Sequence, residues 1–145
     1  MNNVQSNSED LLDIGNGLKI ELKSPGIWKI VAKNGCFDLI EPADFWRVVI
    51  LLERPYSEIE SIFNEYVEKK IGVEDRFPYW KVVSAGLDFK IDQWASLALT
   101  WFPYLEQDKK NMLGDLLENV ANSKWASQKT RQLASRYIKQ MHKII

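Results

Sequence analysis

A chain of 145 residues, 46% hydrophobic and 27% charged, has the size and composition of one globular domain that needs no metal or disulfide to hold a core. Its one cysteine, Cys36, excludes an internal disulfide, and its one histidine, His142, leaves catalytic triads and transition-metal sites without their usual partners. The net charge of −1 hides a division: residues 1–75 carry 14 acids against 8 bases, and residues 76–145 carry 6 acids against 11 bases.

Residues 1–10 are polar and read as a flexible arm, without the basic-then-apolar layout of a secretory signal. No apolar run is long enough to cross a bilayer, so no membrane contact and a cytoplasmic location are expected. Residues 18–40 read as strands. Leu18, Ile20 and Leu22 alternate with Lys19 and Glu21, as on a half-buried strand. Ser24-Pro25-Gly26 signals a turn, and Asn34-Gly35 signals a tight hairpin between residues 27–31 and 36–40. A small N-terminal β-hairpin or meander is the expected result.

From Pro42 to the end of the chain the period is helical. Pro42 suits a first turn, with Phe45, Val48, Val49 and Leu52 on one face until Pro55. Ser57 to Glu60 has the form of a capping box, followed by a stripe of Ile59, Ile62, Phe63, Tyr66 and Val67, with Gly72 as a stop. Pro78 opens a short helix. Asp92 is expected to cap the next, whose stripe is Trp94, Leu97, Ala98, Trp101, Phe102 and Leu105, shortened by Pro103. Asp108 opens a helix with Leu113, Leu116, Leu117 and Val120 inward. A last helix near residues 127–142 turns Leu133, Ala134, Tyr137, Ile138 and Met141 inward.

Little here carries chemistry. His142 reads as a surface histidine near the end of a helix, and Cys36 as a buried strand cysteine. The seven glycines are scattered and form no phosphate loop. Neither a catalytic residue, a metal site nor a cofactor is expected. An enzyme would need acids gathered from afar, such as Asp38, Glu41 and Asp88 in one pocket. The carboxylates Glu58, Glu60, Glu65 and Glu68 lie opposite the apolar stripe of their helix, with Glu74 and Asp75 just beyond it, and form a candidate partner-binding face. Tyr56 and Tyr79 are its expected exposed anchors. The alternative surface is the basic C-terminal segment, Lys124, Lys129, Arg131, Arg136, Lys139 and Lys143, with Trp125 and Tyr137 interleaved, which would pair with nucleic-acid phosphates.

Shifted by 36, residues 94–105 lie over residues 130–141, matching Leu97-Ala98 with Leu133-Ala134 and Trp101 with Tyr137. This resembles the helix pairs of HEAT-like repeats and implies a mainly α domain of stacked antiparallel helix hairpins behind the N-terminal strands. Short length, no cofactor site, six Trp with five Tyr, and a segregated acidic face are similar in general character to bacterial immunity proteins of contact-dependent or other polymorphic toxin systems. That resemblance implies a non-enzymatic protein that neutralises a cognate toxin by occlusion, an acidic surface giving fast association with a basic nuclease.

Overall fold

The computed structural model describes residues 11–24, 26–70 and 76–143. The arm at residues 1–10, Pro25 in the first turn, Gly72, and the acids Glu74 and Asp75 lie outside the described residues. An antiparallel meander of four strands, β1 (Leu12–Gly15), β2 (Leu18–Ser24), β3 (Ile27–Ala32) and β4 (Gly35–Leu39), precedes the helices. The expected strands are present, and β1 is an addition the sequence reading missed. Register explains which face is buried. Ile20 pairs with Ile30 and Ile30 with Phe37, while Leu22 pairs with Trp28 and Trp28 with Leu39, so two apolar rows cross the sheet on one side. On the other side Lys29 reaches Glu21 at 3.0 Å and Lys23 reaches Asp38 at 3.6 Å. The Glu21 carboxylate also raises the Lys29 pKa. Cys36 shares this outer face and is exposed, not buried as expected. The alternation with Phe37 and Leu39 places it there.

Residues Pro42–Glu53 wind as 3-10 helix instead of the expected α-helix, with a break at Val48 (φ −119°, ψ 17°). Three residues per turn align Phe45, Val48 and Leu51 in one row, and all three are buried together with Val49 and Leu52. The start is fixed by Asp44, whose carboxylate accepts the N–H groups of Ile40 and Glu41 at 3.1 and 2.9 Å. The capping box expected at Ser57 does not form. Helix α1 (Tyr56–Glu68) begins two residues earlier, with Pro55 as its N-cap, and the Pro55 carbonyl accepts the N–H groups of Glu58 and Ile59.

The other helices are α2 (Tyr79–Asp88), α3 (Asp92–Trp101), α4 (Gln107–Met112), α5 (Gly114–Ala121) and α6 (Gln128–Lys143), with a 3-10 turn at Phe102–Tyr104 where Pro103 interrupts α3. Ile91, not Asp92, is the N-cap of α3. Asp92 instead reaches across the fold, its carboxylate accepting the Ser127 N–H at 2.8 Å just ahead of α6. The Ser127 Oγ in turn accepts the Thr130 N–H at 3.2 Å.

The domain is mixed, a largely helical body carrying an N-terminal antiparallel sheet, and it is not clearly a stack of HEAT-like hairpins. Helix α2 contacts the 3-10 segment, α3 and α5, acting as a hub, and α6 packs on both α5 and α3. The 36-residue correspondence breaks at the same place: residues 94–105 change winding at Phe102, whereas residues 130–141 are continuous helix. Gly86 on α2 permits the closest approach. A Cβ there would lie 2.6 Å from Leu52 Cδ1 and 3.0 Å from the Ala98 Cβ. Among the described residues no helix is long and apolar enough to cross a membrane.

Candidate functional site

The core contains a continuous line of rings. Trp28 packs on Phe77 (5.2 Å between centroids), Phe77 on Phe63 (4.2 Å) and Tyr79 (5.4 Å), Tyr79 on Tyr56 (5.2 Å), and Tyr56 on Trp101 (5.5 Å). The Trp101 indole N–H donates to the Arg54 carbonyl at 3.0 Å, fixing the far end. Tyr56 and Tyr79 are therefore buried, at 8% and 5% exposure, and are not the exposed anchors expected of them. Helical spacing is the reason. Tyr56 stands three residues before Ile59 and seven before Phe63, on the apolar stripe of α1, and Tyr79 shares the inner face of α2 with Val82 and Val83.

The line surfaces at Tyr104, which stacks on Tyr56 with centroids 5.0 Å apart and planes 5° from parallel. Tyr104 is 62% exposed, the most open of the large hydrophobic side chains among the described residues. Beside it lies a cleft of about 280 Å³, with Tyr56 and Tyr79 contributing to the wall along with Arg76, Trp80, Glu106 and Lys109. Arg76 is paired with Glu60 at 3.2 Å, and the Tyr56 hydroxyl donates to the same carboxylate at 3.4 Å. Lys109 reaches Asp108 at 3.6 Å and lies 5.4 Å from the centroid of the Trp80 ring. Burial, and after it the Glu60 charge, pushes the Tyr56 phenol up to about 12. Burial raises the Tyr79 phenol further still, with Tyr56 and Glu60 adding to it. Both hydroxyls stay protonated through neutral pH.

The acidic row expected on α1 is present, but much of its charge is offset. Glu58 is bonded to Arg54, Glu60 to Arg76, and Glu65 lies 3.7 Å from Lys69. Glu68 is exposed on the same helix. Only Glu60 of this row adjoins the cleft. Sequence reasoning missed both Tyr104 and Glu106, which follow Pro103 in the turn between α3 and α4. The signal available was that Pro103 ends the helical stripe and releases Tyr104 from it.

On the basic side, Arg131, Arg136 and Lys139 line an open groove of about 510 Å³ along α6, with Gln128, Gln132 and Ser135. Arg131 also donates to the Ala126 carbonyl, so part of its donor capacity is used within the fold. Lys124, Lys129 and Lys143 are exposed but do not line this groove. Tyr137 is stacked on Phe102 at 5.1 Å, and Trp125 is half-buried, so neither interleaved ring is an open stacking platform.

The distant acids are not gathered. Asp38 serves Lys23, Glu41 caps the 3-10 segment, and Asp88 lines a shallow concavity with Trp46 and Phe89. Among the described residues no group of three or more His, Cys, Asp or Glu side chains is placed to hold a metal ion. Comparison with known protein families, with curated proteins and with solved structures finds no match for this chain.

Proposed function

We propose that this chain is a non-enzymatic, protein-binding domain of the immunity type, acting in the cytoplasm to neutralise a cognate basic toxin by covering it. The observation that carries the reading is Tyr104: a large, open ring held rigid by a buried tyrosine, at the rim of a cleft next to the acidic side of α1. Rigid aromatics lose little freedom on binding and dominate many interfaces. Tyr104 thus takes the anchor role first given to Tyr56 and Tyr79. Glu106 lines the cleft beside Tyr104, Glu60 adjoins it, and Glu65 and Glu68 extend the acidic side along α1, which favours rapid encounter with a basic surface.

The test is affinity capture of the tagged full chain in nuclease-treated extract of its native host, beside Tyr104→Ala and the triple reversal Glu60→Lys, Glu65→Lys, Glu68→Lys. The wild type is expected to retain one stoichiometric protein, whose toxicity on expression is relieved by co-expressing this chain. Tyr104→Ala is expected to weaken that complex by about 30-fold or more, in the range of interface hot spots. The reversal acts mainly on the association rate. A partner indifferent to both variants, or none at all, would sink the proposal.

A second reading, nucleic-acid binding, is supported by the convergence of Arg131, Arg136 and Lys139 on one groove. It requires nucleic acid to be recovered with the wild type, and that recovery to fall with rising salt and with Arg136→Glu.

A further inference from the structure

One polar group in the cleft is unmatched. Tyr79 is 95% buried, yet among the described residues its hydroxyl has no hydrogen-bond partner. Buried tyrosine hydroxyls ordinarily have one. Tyr79 lines the cleft together with Tyr56, Arg76, Tyr104 and Glu106. A group entering the cleft would be the partner it lacks.

The charges around the cleft say which kind of group. Arg76 is paired with Glu60, and Lys109 is held by Asp108 and the Trp80 ring. Glu106 is exposed and makes no ion pair among the described residues. Among the described residues, Glu106 is thus the carboxylate that lines the cleft without an ion pair. At both phenols the effect of Glu60 outweighs that of Arg76, and Glu106 adds to it at Tyr56. Tyr104, stacked on Tyr56 through one face of its ring, offers the other face to an incoming planar group.

We infer that the cleft receives the guanidinium of a single arginine from the protein partner, stacked on Tyr104, paired with Glu106 and hydrogen-bonded to the phenol oxygens of Tyr56 and Tyr79. A guanidinium is favoured over an ammonium because it is planar, stacks on rings and carries five donors for several acceptors. The inference rests on the protein-binding reading and deepens it by naming what the partner must present. The N-terminus of α2 opens on the same cleft and by itself would attract an anion. An anion is therefore the competing occupant in the test.

The test is a titration of the isotope-labelled full chain, followed by NMR, with N-acetyl-arginine amide, with N-acetyl-citrulline amide as its uncharged isostere, and with inorganic phosphate. The arginine compound is expected to saturate with a Kd of about 1–10 mM, shifting the amides of Tyr79 and Tyr104 and the Trp80 indole N–H. Citrulline and phosphate should produce no saturable shift. Glu106→Gln, at an exposed position whose side chain makes no cap hydrogen bond to α4, should weaken arginine binding about fivefold, and Tyr79→Phe about twofold to threefold. An equal response to citrulline, saturation by phosphate, or no saturable response to arginine would overturn the inference. If a captured partner still depends on Tyr104 after such a result, the protein-binding reading survives and only the arginine is lost. Arginine binding without any captured partner would instead overturn the partner as its source.

Discussion

The core is filled in two ways. Near the sheet and α1 it is filled by rings: Phe77 alone touches Trp28, Phe45, Phe63 and Tyr79 at centroid separations of 4.2 to 5.9 Å. Where α2 crosses α3 and the 3-10 segment it depends on small residues, with Gly86 set against Ala98 and Leu52 and with Ala95 buried nearby on α3. The two regions should fail in opposite ways. A ring-packed region is damaged by truncation, which opens a cavity, and a close-packed backbone crossing is damaged by enlargement.

The largest expected effect is at the centre of the rings. Phe77→Ala should cost about 3–5 kcal/mol in urea denaturation, and a loss below about 1 kcal/mol would mean the rings are not closely packed. Next is the crossing of α2 with the 3-10 segment. Gly86→Ala should destabilise by about 1–3 kcal/mol despite the better helix propensity of alanine. A gain in stability would refute the close approach and dissolve the contrast. At the joint between the start of α3 and α6, Asp92→Ala removes the acceptor of the Ser127 N–H and should cost about 1 kcal/mol at pH 7. The Asp92 pKa lies below its ordinary 3.8, chiefly because of that bond from Ser127. Its contribution is thus complete above 3.8 and is lost as pH falls through the folded value. The gap between wild type and variant should close in acid, and a gap that widened there would contradict the assignment. The smallest effect is a gain. Lys90, between α2 and α3, holds a left-handed φ of 64°, and Lys90→Gly should add up to about 1 kcal/mol by thermal melting.

The legible parts of the fold were those in which side-chain period matches backbone period. Alternation at Leu18, Ile20 and Leu22 gave a true strand, and the stripe from Ile59 to Tyr66 gave a true helix. Strand β1 was missed because four residues, one of them aspartate and one glycine, hold too short an alternation to stand out. The 3-10 segment was misread as α because Val48, Val49 and Leu52 satisfy a 3.6-residue period as well as Phe45, Val48 and Leu51 satisfy one of three. At the site, Tyr56 and Tyr79 are expected as exposed interface anchors, yet their positions on the apolar faces of α1 and α2 bury them. The Glu60–Arg76 pair spans 16 residues, and no local pattern could have shown that it moderates the acidic face.

The line of rings also makes the protein its own optical reporter. Aromatic groups fixed at separations of 4.2 to 5.5 Å from Trp28 to Trp101 couple their electronic transitions, and near-ultraviolet circular dichroism of this kind exists only while side-chain packing is fixed. Tyr104 joins that array through its stack on Tyr56. Occupation of the cleft is thus readable, without any attached label, as a change in the signal of the array.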